Sequence, residues 1–140
     1  MVAMRALVLL GLLTACTDRN PPSIRMLAYT PNAGFVGEDT MINGTFLYSD
    51  PDQDISQWVV ELSDPNGQLV TRTPPNPVDG ASQGITGTVN FMMTLGADTT
   101  TLTGIYHFTV WLVDLSALES NHLQGEVRIA QNAPYGPGNP

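Results

Sequence analysis

A two-residue hydrophobic period recurs along this 140-residue chain and restricts its fold more than any other feature. Ile42, Gly44, Phe46 and Tyr48 share one parity, with Asn43 and Thr45 on the other. Trp58, Val60 and Leu62 alternate with Gln57, Val59 and Glu61. Ile85, Val89, Phe91, Met93 and Leu95 alternate with Thr86, Thr88, Asn90 and Thr94. Tyr106, Phe108, Val110 and Leu112 alternate with His107, Thr109 and Trp111. Successive side chains of a strand point to opposite faces, so each segment reads as a half-buried antiparallel strand. Weaker strands are expected over residues 24–29, 68–73 and 123–129. No segment keeps a helical 3.6-residue period for two turns; only Leu115 to Glu119 has room for a short turn of helix.

Turn chemistry separates the runs: Pro31-Asn32-Ala33-Gly34, Asp50-Pro51-Asp52-Gln53-Asp54, Asp64-Pro65-Asn66-Gly67 and Pro74-Pro75-Asn76-Pro77. Seven short strands over residues 23–130 predict an all-β, two-sheet antiparallel sandwich. The segment from Arg72 to Gly84 holds three prolines and no period, the pattern of a functional or disordered loop. Residues 131–140 form a Pro/Gly-rich tail that is not expected to pack.

Within this pattern, Gly104-Ile105-Tyr106-His107-Phe108-Thr109-Val110, followed by Asp114, resembles the Gly-x-Tyr-x-Phe-x-Val strand of immunoglobulin-like and PKD-type domains. The resemblance makes Tyr106 a tyrosine corner and Trp58 the buried tryptophan of the third strand. Phe46-Leu47-Tyr48-Ser49-Asp50 is similar to the second strand of such domains running into an acidic loop. Their inter-sheet cysteine pair is absent, so Phe46 with Phe108 or Val110 is expected to fill that volume.

The N-terminal residues carry a second resemblance. Arg5 precedes the apolar run Ala6-Leu7-Val8-Leu9-Leu10-Gly11-Leu12-Leu13, the pattern of a secretory leader and too short for a transmembrane helix. Leu13-Thr14-Ala15-Cys16 then resembles the lipobox of bacterial lipoproteins. The resemblance implies cleavage after a 1–15 signal peptide, lipidation of Cys16, and residues 16–22 as lipidated N-terminus and linker. It places the protein in the bacterial cell envelope, with the membrane as a partner through Cys16. Thr17, where aspartate would favour the inner membrane, leans towards the outer membrane. Several acyl chains on one residue anchor stably without a basic patch. Cys16 is the only cysteine, so no internal disulfide staples the domain.

Without residues 1–15 the chain has four arginines, no lysine and thirteen carboxylates, a charge of −9. Such a chain is repelled by nucleic acid, which is excluded as a charge-driven partner. The acidity points to solubility or to cations. Asp50, Asp52 and Asp54 stand at alternate positions like the start of a calcium loop, with Asp114 or Glu119 as further oxygen donors. An EF-hand is excluded, because its sixth position requires glycine and this chain has Ile55. The three aspartates thus form either a looser calcium site or an Asx-rich turn that bonds its own backbone.

No other cofactor is implied. His107 and His122 lack an aligned carboxylate and read as exposed strand histidines. Gly-x-Ser-x-Gly, a serine–histidine–acid spacing and a phosphate-binding glycine loop are all missing, so an enzyme is not expected. Trp111 falls on the outward parity of its strand. It either meets a protein or glycan partner or is covered by a neighbouring strand or the tail. The expectation is a membrane-anchored, non-catalytic binding or accessory domain. The alternatives are a calcium-stabilised adhesion-type domain and an accessory domain of a carbohydrate-active system.

Overall fold

The computed structural model describes residues 19–78 and 84–132; the leader, Cys16 and residues 133–140 lie outside the described residues. In chain order the strands are β1 (Ser23–Thr30), β2 (Ala33–Phe35), β3 (Thr40–Ser49), β4 (Ile55–Ser63), β5 (Leu69–Arg72), β6 (Asn76–Pro77), β7 (Thr86–Leu95), β8 (Gly104–Asp114) and β9 (Leu123–Ala130). They form two sheets, one ordered β1-β3-β7 and one ordered β2-β9-β8-β4-β5, with β6 paired to β4. All pairs are antiparallel except β2 with β9. This is the two-sheet sandwich that the alternation predicts, in the immunoglobulin-like form that the resemblance implies.

The inward parity of each strand closes the core. Ile42, Phe46 and Tyr48 of β3 and Val89, Phe91, Met93 and Leu95 of β7 face Trp58, Val60 and Leu62 of β4 and Tyr106, Phe108, Val110 and Leu112 of β8, all buried. β3 and β7 pair over ten unbroken positions, from Thr40 opposite Leu95 to Ser49 opposite Thr86. Ile85 departs from its expected parity: it lies one residue before β7, outside the ladder, and is 55% exposed.

Phe46, Phe108 and Val110 are fully buried, and a ring from β7 joins Phe46 to Phe108. Phe91 lies 6.0 Å from Phe46, 6.1 Å from Phe108 and 6.1 Å from Trp58, centroid to centroid. Tyr29 meets Phe108 edge-on at 4.9 Å. Phe91 and Phe108 reach the middle because each faces a glycine across its own sheet, Phe91 opposite Gly44 and Phe108 opposite Gly125. A Cβ added at either glycine would overlap the facing ring.

The tyrosine corner is formed as the resemblance implies. The Tyr106 hydroxyl accepts from the Leu102 N–H (3.2 Å) and donates to the Thr99 carbonyl (3.4 Å). Residues 115–119 hold no helix. Asp114 Oδ1 instead accepts the N–H groups of Ser116 and Leu118, both at 2.8 Å, and Ala117 takes a left-handed φ of 63°. The chain therefore turns back, and Glu119 bridges to Val113. The stretch read as a turn at residues 31–34 goes directly into β2, which adds to β9 in parallel.

Phe91→Ala removes the ring shared by Phe46, Trp58 and Phe108 and is expected to cost about 3–5 kcal/mol, as large-to-small aromatic core changes do. Gly44→Ala drives a methyl group into that ring and is expected to cost about 1–3 kcal/mol. Urea unfolding of the two variants measures both, and a stability unchanged in Gly44→Ala would refute the packing described.

Candidate functional site

The end of the sandwich that carries Asp50 to Asp54 gathers most of the residues the sequence singles out. Asp50 is fully buried at the end of β3, and its carboxylate is occupied by backbone. Oδ2 accepts the N–H groups of Asp54 (2.7 Å) and Ile55 (3.1 Å), and Oδ1 that of Asp52 (3.2 Å). Asp52 points outward to the start of the chain. Its Oδ2 accepts the Asn20 N–H at 2.6 Å and its Oδ1 the Asn20 side-chain amide at 3.3 Å. The loop is thus the Asx-rich turn of the two readings, and Asp50, Asp52 and Asp54 do not converge on one point. Among the described residues no group of three or more His, Cys, Asp or Glu side chains is arranged to hold a metal ion.

A different carboxylate pair does come together. Asp54, at the mouth of β4, and Asp114, at the end of β8, both contact Ser116. The Ser116 hydroxyl donates to Asp54 Oδ2 (3.5 Å) and its N–H to Asp114 Oδ1 (2.8 Å). Asp54 Oδ1 and Asp114 Oδ2 are buried and accept no hydrogen bond. Desolvation raises the Asp54 pKa first, followed by the negative charges of Asp114, Asp50 and Asp52, while the Ser116 hydroxyl opposes the shift. Glu119 stands apart, against His122 at 3.5 Å.

Trp111 lies on the outer face of its sheet, as its parity requires, and is only 3% exposed. Its ring is covered on both sides. His122 stacks on it at 4.7 Å and 22°, and the Arg72 guanidinium sits 5.1 Å from its centroid. Among the described residues, His122 and Arg72 cover Trp111; the tail lies outside them. His107 is far from this group, opposite Glu126 at 3.6 Å, so the two histidines do not meet.

One cleft is a feature the sequence did not reveal. It has a volume of about 940 Å³ and is lined by residues that include Thr45, Thr88, Asn90, Trp58, Asn76 and Val78. None of its described lining residues carries a carboxylate, an amine, a guanidinium or an imidazole. β1, β3 and β7 contain no Asp or Glu at all, and Arg25 is their one charge. The neutral outward parity was visible in the alternation. The cleft itself depends on where the aperiodic segment lays Asn76 to Val78 beside Trp58.

No family model and no curated protein matches this chain. Among solved structures it is similar to the sporulation control protein Spo0M of Bacillus subtilis (TM-score 0.52, 16% identity, 81% of this chain and 51% of the other). It is also similar to the PKD domain of an M14-like peptidase from a Thermoplasmatales archaeon (TM-score 0.46, 22% identity, 81% and 99%). Fibronectin(III)-like modules of Clostridium thermocellum CbhA match at TM-score 0.47 and 14% identity, over 79% and 47%. The chain spans about half the length of the Spo0M structure, and the likeness is one of fold.

An acid whose pKa is raised in the folded state stabilises that state below its unfolded pKa and loses this as pH rises through the folded one. At neutral pH the ionised Asp54 therefore weakens the fold. Asp54→Asn is expected to raise Tm at pH 7, with the gain shrinking as pH falls through the raised Asp54 pKa towards the ordinary aspartate value of about 4. Thermal melts from pH 3 to 7 check this, and a lower Tm for the variant at pH 7 would contradict it.

Proposed function

We propose that the protein is a lipid-tethered, non-catalytic binding or accessory module of the bacterial cell envelope, held through Cys16. The observation that carries the reading is the run Leu13-Thr14-Ala15-Cys16 closing an apolar leader, with a folded domain beginning almost at once. Only Thr17, Asp18 and Arg19 separate Cys16 from Asn20, whose backbone N–H is bound to Asp52. Thr17 after the cysteine favours the outer membrane. The ligand surface in this reading is the neutral cleft along β7. Its amide and hydroxyl side chains, with Trp58 beneath, suit an uncharged polar ligand of glycan or peptide type.

Expression with the intact leader in a bacterial host tests the tether. The protein is expected in the membrane fraction with a mature N-terminus at Cys16 and the added mass of a diacylglyceryl group. Cys16→Ser is expected to release it into the soluble fraction. A wild-type chain that stays soluble with a free Cys16 thiol overturns the reading.

The unpartnered oxygens Asp54 Oδ1 and Asp114 Oδ2 favour a second reading, a calcium-stabilised domain. Calcium takes six to eight oxygen ligands, so two carboxylates are a beginning and not a complete cage. In this reading millimolar calcium raises Tm in the wild type and leaves the Asp54→Asn, Asp114→Asn double variant unmoved. An unchanged wild-type Tm disposes of it.

A further inference from the structure

We propose that the end of the sandwich carrying Asn20 is a membrane-docking end, where Leu115 and Ile85 seat in the headgroup–acyl boundary of the bilayer that holds Cys16. This inference rests on the lipid-anchor reading above. The strand registers define that end. Ser23, Ser49 and Thr86 meet there in one sheet, and Ile55 meets Asp114 in the other. The start of the chain is tied to the same end twice, by Asn20 on Asp52 and by the Ile24 backbone on the Asn121 side chain (2.8 and 2.9 Å). From Asn20 back to Cys16 there are four Cα steps, which span at most about 14 Å fully extended. An acylated Cys16 therefore holds this end against the lipid and keeps the opposite end away from it.

The side chains at that end suit an apolar boundary. Leu115 is 75% exposed and Ile85 55%, and Met26, at the bulge of β1, is 71% exposed. Leu115 sits at the tip of a turn that is fixed from within. Its own N–H donates to the Asp54 carbonyl at 2.9 Å, and Asp114 holds the next two available N–H groups, of Ser116 and Leu118. A bulky apolar side chain presented on a preorganised turn loses little freedom on insertion. Of the nearby carboxylates, Asp50 and Asp114 are buried and turned onto backbone N–H groups, while the exposed Asp52 is held by Asn20 and Glu119 lies against His122. Leu69, 59% exposed, is the natural reference: it pairs with Ser63 at the far end of β4, about 25–30 Å along the strand from Ile55.

Single cysteines test the proposal in the lipidated full chain. The acylated Cys16 sulfur is a thioether, so Leu115→Cys, Ile85→Cys and Leu69→Cys each leave one thiol for a polarity-sensitive fluorophore. The proteins are placed in phosphatidylcholine vesicles containing a lipid-borne nitroxide quencher. Labels at 115 and 85 are expected to shift to the blue and to be quenched several-fold more than the label at 69. Equal quenching at the three positions, in protein whose mass shows the lipid on Cys16, overturns the docking and leaves the anchor standing. Protein that carries no lipid and does not float with the vesicles overturns both.

Discussion

Phe91 lies across Gly44 of β3 and Phe108 across Gly125 of β9, and the two rings meet at 6.1 Å between the sheets. The rest of the sandwich depends on this arrangement. With no disulfide within the domain, the centre is filled by side chains alone, and a ring from each sheet meets there. A ring at that depth needs space on its own sheet, which a neighbouring glycine provides and any Cβ would remove. Burial of large aromatic and aliphatic side chains gives roughly 1.5–3 kcal/mol each, so a core of Phe46, Trp58, Phe91, Phe108 and Tyr106 coheres without a covalent bridge.

The acidity of the chain serves its turns. Asp50, Asp64 and Asp114 stand where strands end, and each carboxylate accepts at least two backbone N–H groups of the residues that follow. A loop N–H left unbonded near the core would cost about 1–3 kcal/mol, so these carboxylates are structural at the points where the ladders stop. This explains why an alternating run of aspartates can resemble a cation loop without converging on a cation. It also isolates Asp54, whose carboxylate has only the Ser116 hydroxyl as a hydrogen-bond donor and feels the charge of its neighbours.

Period-two alternation made the long strands legible, because burial on one face leaves no freedom of register, whereas β2 and β6 fell in segments read as turn and loop. Trp58 and Tyr106 were legible for the same reason, each lying on the inward parity of a long strand. What stayed hidden depends on contacts between distant segments. Phe91 as the central ring was not apparent, since parity shows that a side chain is buried but not which partner it meets. The cover over Trp111 required Arg72 from β5 and His122 from the approach to β9, two residues without a pattern of their own. The pairing of Asp54 with Asp114 likewise joins loops 60 residues apart, and the turn at Asp114 defeated the short helix because one carboxylate bonded two N–H groups that a helix would have used otherwise.

Tether length and strand geometry together limit what the cleft can meet. With Cys16 acylated, Asn20 lies within about 14 Å of the lipid. Asn90, on the cleft wall, stands four residues along β7 from Thr86 at the tethered end, about 13 Å further at 3.3 Å per residue. Under the proposed tether the cleft would stay near the bilayer. Strands β1, β3 and β7 carry no carboxylate, although the chain as a whole bears a charge of −8. At a Debye length of about 8 Å in physiological salt, the acidic loops at either end are largely screened from its middle. In the proposed function an uncharged ligand would meet little electrostatic opposition there, and selection among such ligands would fall to the amide and hydroxyl groups of Asn76, Asn90, Thr45 and Thr88.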